Sequence, residues 1–259
     1  MPEIIEVEMY RRTAQAVVGR TIAGVDAPDE WFCKGSPPNS FRAALHGQVV
    51  AVARRRGKLL LLDCEDGPTL GIRFGMTGRL VVDGASPILA LEYGTKRSDP
   101  KWDRFGLRFT DGGRLVVNDP RRLGAVQLSP DESVLGVDAY SASQSELAEV
   151  FSGSEVAVKA RMLDQARLAG VGNLLADETM WRAGIDPARP SLSLSDANIA
   201  VIHLALGQVL QELTERGGSH TGDLQLERHQ GGVCPLDGAS LLRRTIGGRT
   251  TYSCPIHQI

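Results

Sequence analysis

The sequence predicts an α+β chain: a strand-rich N-terminal half that forms a β-sandwich with a terminal helix, a helical section, and a C-terminal hairpin with metal-like knuckles. Three observations carry this. Short β-branched and leucine-rich runs broken by turn residues fill residues 1–128. Helical spacing of apolar residues takes over at 143. Two Cys-Pro knuckles flank a Gly-Gly pair near the end. With 259 residues the chain has room for two domains, each with a core of its own.

The first element is an amphipathic helix, with Val7, Tyr10, Ala14, Val17 and Val18 at helical spacing. Strands follow in GQVVAVARRRGKLLLLDCEDGPTLGIRF and RFGLRFTDGGRLVVNDPRRLGAVQL, with turns at Asp66-Gly67 and Asp111-Gly112-Gly113. Residues 129–142, with Ser, Pro and Asp, read as a linker. The segment 143–224 is helical, carried by SQSELAEVF, VKARMLDQ, GNLLADETMWRAG and SLSDANIAVIHLALGQVLQELTERGG. Ser143 and Ser195 are N-cap candidates, and Gly184 and Gly217 stand where helices should stop. Residues 225–259 form the last section, a hairpin turning at Gly247-Gly248.

Bulk properties exclude some classes of function. No apolar run approaches the roughly 20 residues that cross a bilayer, so the expectation is a soluble protein with no membrane partner. The start lacks a charged-then-apolar signal pattern, which points to the cytoplasm. Four unevenly placed cysteines do not resemble a secreted disulfide framework, and Cys33 and Cys64 read as ordinary residues. The net charge of −2 argues weakly against nucleic acid, but the basic residues cluster, and local charge steers binding more than the sum does.

Three places carry chemistry. Cys234 and Asp237 have C-x2-D spacing, and Cys254 and His257 have C-x2-H spacing. Together they offer four ligands for one tetrahedral zinc of structural type, with His229 as the substitute should Asp237 not reach. Such an ion would stiffen a hairpin carrying Arg243, Arg244 and Arg249. In LAGVGNLLADETMWRAG, Gly170 and Gly172 precede a new helix near Asn173, and a fresh helix N-terminus with small residues suits an anion such as a DNA phosphate. The third place is the start, MPE. Trimming of Met1 leaves Pro2 with a free secondary amine of pKa roughly 8, a nucleophile near neutrality, with Glu3 beside it to move protons.

These motifs together resemble the formamidopyrimidine-DNA glycosylase and endonuclease VIII family. MPE, RRRGKLLLL, FGMTGRL, NDPRRLGA, MLDQ, GVGNLLADETMWRAGIDPARP and GGRTTYSCP occur in the family's order along the whole chain. The resemblance implies base-excision repair of damaged double-stranded DNA by a monomer of bacterial type: base removal, then strand cleavage by β,δ-elimination through a Schiff base at Pro2. It implies a helix–two-turn–helix in the helical domain and a zinc finger in the hairpin. By resemblance Glu3 is the proton shuttle, Glu6 a second acidic residue near the pocket, and Lys58 a lysine that contacts phosphate. Met76, Arg121 and Leu123 match the residues that fill the void left by the flipped base; Lys159, Asn173 and Arg249 match DNA-contact positions. The run Arg54-Arg55-Arg56 is a further candidate for touching DNA.

Departures from the family pattern matter too. Ile5 and Leu123 replace the usual residues, and the zinc set is mixed where four cysteines are common. GGSHTGDLQLERHQGGVCP is shorter than the stretch that closes over 8-oxoguanine, which favours ring-opened purines, oxidised pyrimidines or abasic sites. The rival readings are a lesion-binding protein of the same fold without turnover, an abasic-site lyase with little base excision, and a structural-zinc scaffold for protein partners, which would show no salt-dependent affinity for duplex DNA.

Overall fold

A computed structural model describes residues 2–88 and 99–259. The chain separates into two compact units, one comprising 1–2 and 6–132, the other 3–5 and 133–259. The fold is mixed α+β.

Helix α1 (Ile4–Ala14), which belongs to the first unit from Glu6 on, runs on into a short 3-10 turn, Gln15–Val17. Val7, Tyr10, Ala14 and Val17 are buried at the spacing read from the sequence, and Val18 is partly buried. Then come β1 (Ile22–Asp26), β2 (Cys33–Lys34), α2 (Pro38–Leu45), β3 (Val50–Arg56) and β4 (Leu59–Cys64). They are followed by β5 (Leu70–Arg73), β6 (Arg79–Val82), β7 (Asp103–Phe109), β8 (Arg114–Asn118) and β9 (Ala125–Leu128). One sheet has the order β1-β7-β8-β6, the other β2-β9-β5-β4-β3. Leu80, Leu107, Leu115 and Val117 of the first and Leu60, Leu62, Ile72 and Val126 of the second share one buried cluster. Full burial of each such side chain stabilises the fold by roughly 1.5–3 kcal/mol.

Two details lie beyond the sequence reading. β2 pairs with β9 in parallel, so the sheets are not wholly antiparallel. Helix α2 is short, with Phe41, Ala44 and Leu45 at helical spacing and Phe41 and Leu45 buried; Pro38 starts it at its first position, where a missing N–H does no harm. Edge strand β3 carries Arg54, Arg55 and Arg56, and charge on an edge discourages pairing with another chain.

In the second unit β10 (Val137–Asp138) pairs in parallel with β11 (Leu168–Ala169). Helices α3 (Gln144–Phe151), α4 (Val158–Leu163), α5 (Asn173–Ala183) and α6 (Asp196–Arg216) follow the expected order. Ser143 and Ser195 cap α3 and α6 through full capping boxes, with Glu146 and Asn198 bonding back. Gly184 and Gly217 end α5 and α6 in the left-handed conformation, φ 67° and 99°. The hairpin β12 (Leu242–Ile246) and β13 (Arg249–Ser253) turns at Gly247 and Gly248, both with positive φ, as a two-residue turn requires. No helix among the described residues is long and apolar enough to cross a membrane.

Candidate active site and nucleic-acid interface

The centre of the second unit is the first turn of α5. Helix N-termini leave N–H groups without partners and carry partial positive charge. Here the Glu3 carboxylate fills that place. It accepts from the N–H of Gly172 at 2.7 Å, Leu174 at 2.9 Å and Leu175 at 3.3 Å, while buried to 1% exposure. The sequence reading had a DNA phosphate as the natural ligand of this turn. The structure corrects it, because an acidic side chain of the chain itself takes the donors.

The two glycines make the approach possible. A Cβ on Gly172 would collide with the Glu3 carboxylate, and one on Gly170, whose φ is +114°, would collide with Ile4. The Ile4 N–H donates to the Gly170 carbonyl at 3.1 Å. Gln165, the last residue of the MLDQ motif, braces the same turn: its Nε2 donates to the Leu163 and Val171 carbonyls and its Oε1 accepts from Gly170 N–H. Pro2, one residue before Glu3, is buried, and Met1 lies outside the described residues. Ile5 and Glu6 are buried on α1, and Glu6 adds to burial in pushing the Tyr10 phenol up.

Next to this turn the structure puts Lys159 and Asn173. Asn173 is half-buried, and its Nδ2 donates to the Thr250 carbonyl of the hairpin at 3.1 Å. Lys159 departs from the expectation of a DNA contact. It is wholly buried on α4, 2.6 Å from Asp177 Oδ1, and donates to Thr251 Oγ1 at 2.7 Å. Burial pulls its ammonium below the usual lysine range, with Asp177 opposing. Arg249 is exposed at the start of β13. Arg244 is engaged instead with Asp186 and Ser253.

Cys234, Asp237, Cys254 and His257 come together with one ligand atom from each within 4.8 Å of the others. Their surroundings fit a metal. Trp181 Nε1 and the Leu236 N–H point at Cys234 Sγ, and the Ile256 N–H points at Cys254 Sγ, each at 3.4 Å. His257 Nε2 lies 3.1 Å from the Trp181 carbonyl, so its Nδ1, 3.1 Å from Asp237, is the nitrogen turned into the cluster. The Asp237 carboxyl is held down to about 2 by the Ala239 N–H and Cys254, while burial pushes the Cys254 thiol up. His229 stays outside the cluster, exposed beside Glu227.

In the first unit, Met76 is half-buried and Arg121 and Leu123 are exposed on the loop between β8 and β9, so Leu123 is not a core residue. The wholly buried Asp119 shapes this loop. It accepts from Thr77 Oγ1 at 2.5 Å, Arg121 N–H at 3.2 Å, and the N–H of Leu123 and Gly124 at 2.8 Å. Arg122, at a φ of +55°, is held by paired 2.7 Å bonds to Asp29. Gly75, next to Met76, lies so close to the Leu123 backbone that a Cβ there would collide with it. Sequence reasoning missed Asp119, Gln165 and Asp177. An Asp three to five residues before a turn glycine was the available signal for the first.

Lys58 sits half-buried in the turn between β3 and β4, after Gly57. Of the three preceding arginines, Arg54 bonds Asp63 and Glu132, and Arg55 stands 3.5 Å from Glu8. Those two are engaged with carboxylates of the same unit.

Comparison with known proteins places the chain. The formamidopyrimidine-DNA glycosylase N-terminal domain matches residues 1–126, and the H2TH domain of the same enzymes matches residues 135–224. The formamidopyrimidine-DNA glycosylase of Paracoccus denitrificans is 34% identical over 100% of both chains, and that of Chloroflexus aggregans 31% over 100% of this chain and 99% of its own. The Lactococcus lactis Fpg in complex with abasic-site DNA superposes with a TM-score of 0.82 at 25% identity, covering 99% of each chain. Matched by the two domains over most of its length and by full-length relatives over all of it, the chain belongs to the formamidopyrimidine-DNA glycosylase family.

Proposed function

We propose that this protein is a base-excision repair enzyme that removes oxidised or ring-opened bases from duplex DNA and then breaks the strand at the abasic site. The observation that carries the reading is the anchoring of Glu3 by the first turn of α5, which holds the adjoining Pro2 in a defined place. A trailing N-terminus would have to order itself for every turnover, and preorganisation removes that loss.

With Met1 removed, the Pro2 nitrogen is a free amine. Its lone pair forms a bond to C1′ of the flipped nucleotide as the C1′–base bond breaks and the base leaves with a proton. The sugar ring then opens, the C1′–O4′ bond breaking as O4′ takes a proton, and the iminium so formed draws electrons from C2′. Loss of the C2′ proton expels the 3′ phosphate, and a second elimination expels the 5′ phosphate. Glu3 moves protons at the sugar, and Glu6 is the second acid of the same segment.

The remaining residues hold DNA. Lys58 contacts phosphate near the lesion. Met76 and Leu123 enter the base stack and Arg121 meets the orphaned base, on loops already ordered by Asp119. Asn173 Nδ2 keeps a second hydrogen beyond the one given to Thr250, free to meet a phosphate, as is the exposed Arg249. A zinc ion held by Cys234, Asp237, Cys254 and His257 would cross-link the feet of the hairpin and take no part in the chemistry. The domains read as a β-sandwich over 1–128, a linker over 129–142, a helix–two-turn–helix domain over 143–224 and a zinc-finger hairpin over 225–259, working as a monomer.

The substrate class follows from the segment after α6. Glu178 accepts from the N–H of Asp223 and Leu224, and Arg182 bonds Glu178, Glu212 and Asp223. A segment stapled at these points has little chain left to fold over a base, which favours ring-opened purines, oxidised pyrimidines and abasic sites over 8-oxoguanine. Duplexes each holding one lesion, incubated with protein whose first residue is Pro2, test the reading. Nicks with phosphate at both ends on the abasic and ring-opened duplexes are expected. Retardation of every duplex without a nick would make the protein a binder.

A further inference from the structure

Lys159 needs an account of its own. It is the only lysine among the described residues that is wholly buried, and three partners surround its ammonium: Asp177 Oδ1 at 2.6 Å, Thr251 Oγ1 at 2.7 Å and the Thr250 carbonyl at 3.3 Å. Asp177 is committed on its other side to Arg228, whose Nη2 stands 2.8 Å from Oδ2. To reach a phosphate, Lys159 would have to leave a buried carboxylate behind, a strongly unfavourable move.

What Lys159 does hold is the hairpin. Thr250 and Thr251 follow Arg249 directly in β13. The Thr250 carbonyl also accepts from Asn173 Nδ2, inside the α5 turn whose N–H groups bind Glu3 on both sides of it. The hairpin meets α4 a second time at its tip, where a Cβ on Gly247 would come within 2.8 Å of the Ala160 Cβ, one residue along from Lys159. Glu3 and the backbone next to Arg249 thus hang from one bracket, the first turn of α5 with Lys159 behind it.

We propose that Lys159 is a positioning residue that never touches DNA: through Thr250 and Thr251 it aims Arg249 at its phosphate, at a set distance from Glu3. This rests on the roles given above to Arg249 and Glu3. Lys159 acts through Arg249, so its effect depends on that residue being present.

A double-mutant cycle reads this dependence. Wild type, Lys159→Met, Arg249→Ala and the double variant are titrated with a duplex holding a stable abasic analogue over a series of salt concentrations. Arg249→Ala removes one phosphate contact and lowers the slope of log K against log salt by about 0.9. Lys159→Met alone is expected to weaken binding about tenfold, and to change neither affinity nor slope further once Arg249 is gone. A lysine that met phosphate itself would weaken binding equally in both backgrounds and lower the slope by about another 0.9, overturning the proposal. A lower melting temperature with unchanged affinity in both backgrounds overturns it as well.

Because Lys159→Met leaves Asp177 buried without its cation and can unfold the chain, Thr251→Val is the second variant. It keeps the ion pair, removes the hydroxyl, and is expected to weaken binding about threefold, only while Arg249 is present. No weakening contradicts the proposal. Nicking of an abasic duplex by wild type is the control. Its absence refutes the proposed function, whereas a nicking wild type with an additive cycle refutes only the assignment of Lys159.

Discussion

Gly172 has no side chain because Glu3 occupies the space that one would need. The smallest substitution there is therefore a test of the anchor. Gly172→Ala forces the carboxylate off the helix turn, and overpacking of this kind destabilises by about 1–3 kcal/mol. The larger effect should fall on chemistry, because the displaced segment carries Pro2. We expect strand nicking at an abasic site to slow by well over tenfold, while binding of the same duplex changes by less. Equal nicking rates for the variant and wild type would mean that the anchor does not position the nucleophile. At this scale the sequence was legible where both partners are close in the chain. Ser143 and Ser195 were identifiable as caps because each is a serine at the start of a helical run, the second followed by Asp196 in the first turn. The Glu3 site was not, because its donors lie about 170 residues away and a glycine-rich helix start reads the same whether its anion is a phosphate or a carboxylate.

Among the elements, the hairpin depends most on something beyond its own packing. It presents exposed Leu242 and Arg243, and its buried side chains are Ile246 and Tyr252 with the polar Thr251 and Ser253. The cluster of Cys234, Asp237, Cys254 and His257 lies at its feet, and Trp181 of α5 packs on both cysteines. Removal of a bound metal by a chelator should free Cys234 and Cys254 to react with a thiol reagent and weaken duplex binding through Arg249, with readdition of zinc reversing both. The strands of the first unit should melt as before, since none of their residues belongs to the cluster. Thiols that stay unreactive after chelation, or binding that does not change, would show that the hairpin stands without a metal. The knuckle spacing made the grouping of these four side chains legible in advance. The ion pair of Lys159 and Asp177 was not legible, because a lysine on a short helix reads as solvent-facing until the hairpin is seen to cover it.

Over the whole molecule, the chain order of motifs announced the architecture, and the periodicities placed most helices and strands. What they could not place were contacts set by tertiary packing: the parallel pairing of β2 with β9 and the engagement of Arg54 and Arg55 by carboxylates. Pairs of this kind are made between segments far apart in sequence, so local pattern carries no record of them. The N-terminal tip is the sharpest case. Residues 3–5 group with the second unit although the chain on either side of them groups with the first. The account as a whole therefore turns on what the tip does, and mass mapping of a reduced adduct measures that directly. Protein beginning at Pro2 is mixed with an abasic duplex and borohydride, digested, and its peptides weighed. The account predicts a deoxyribose remnant on the N-terminal peptide, bonded to the Pro2 nitrogen. A remnant on Lys58 or any other lysine, or none at all from protein that binds the duplex, would contradict it.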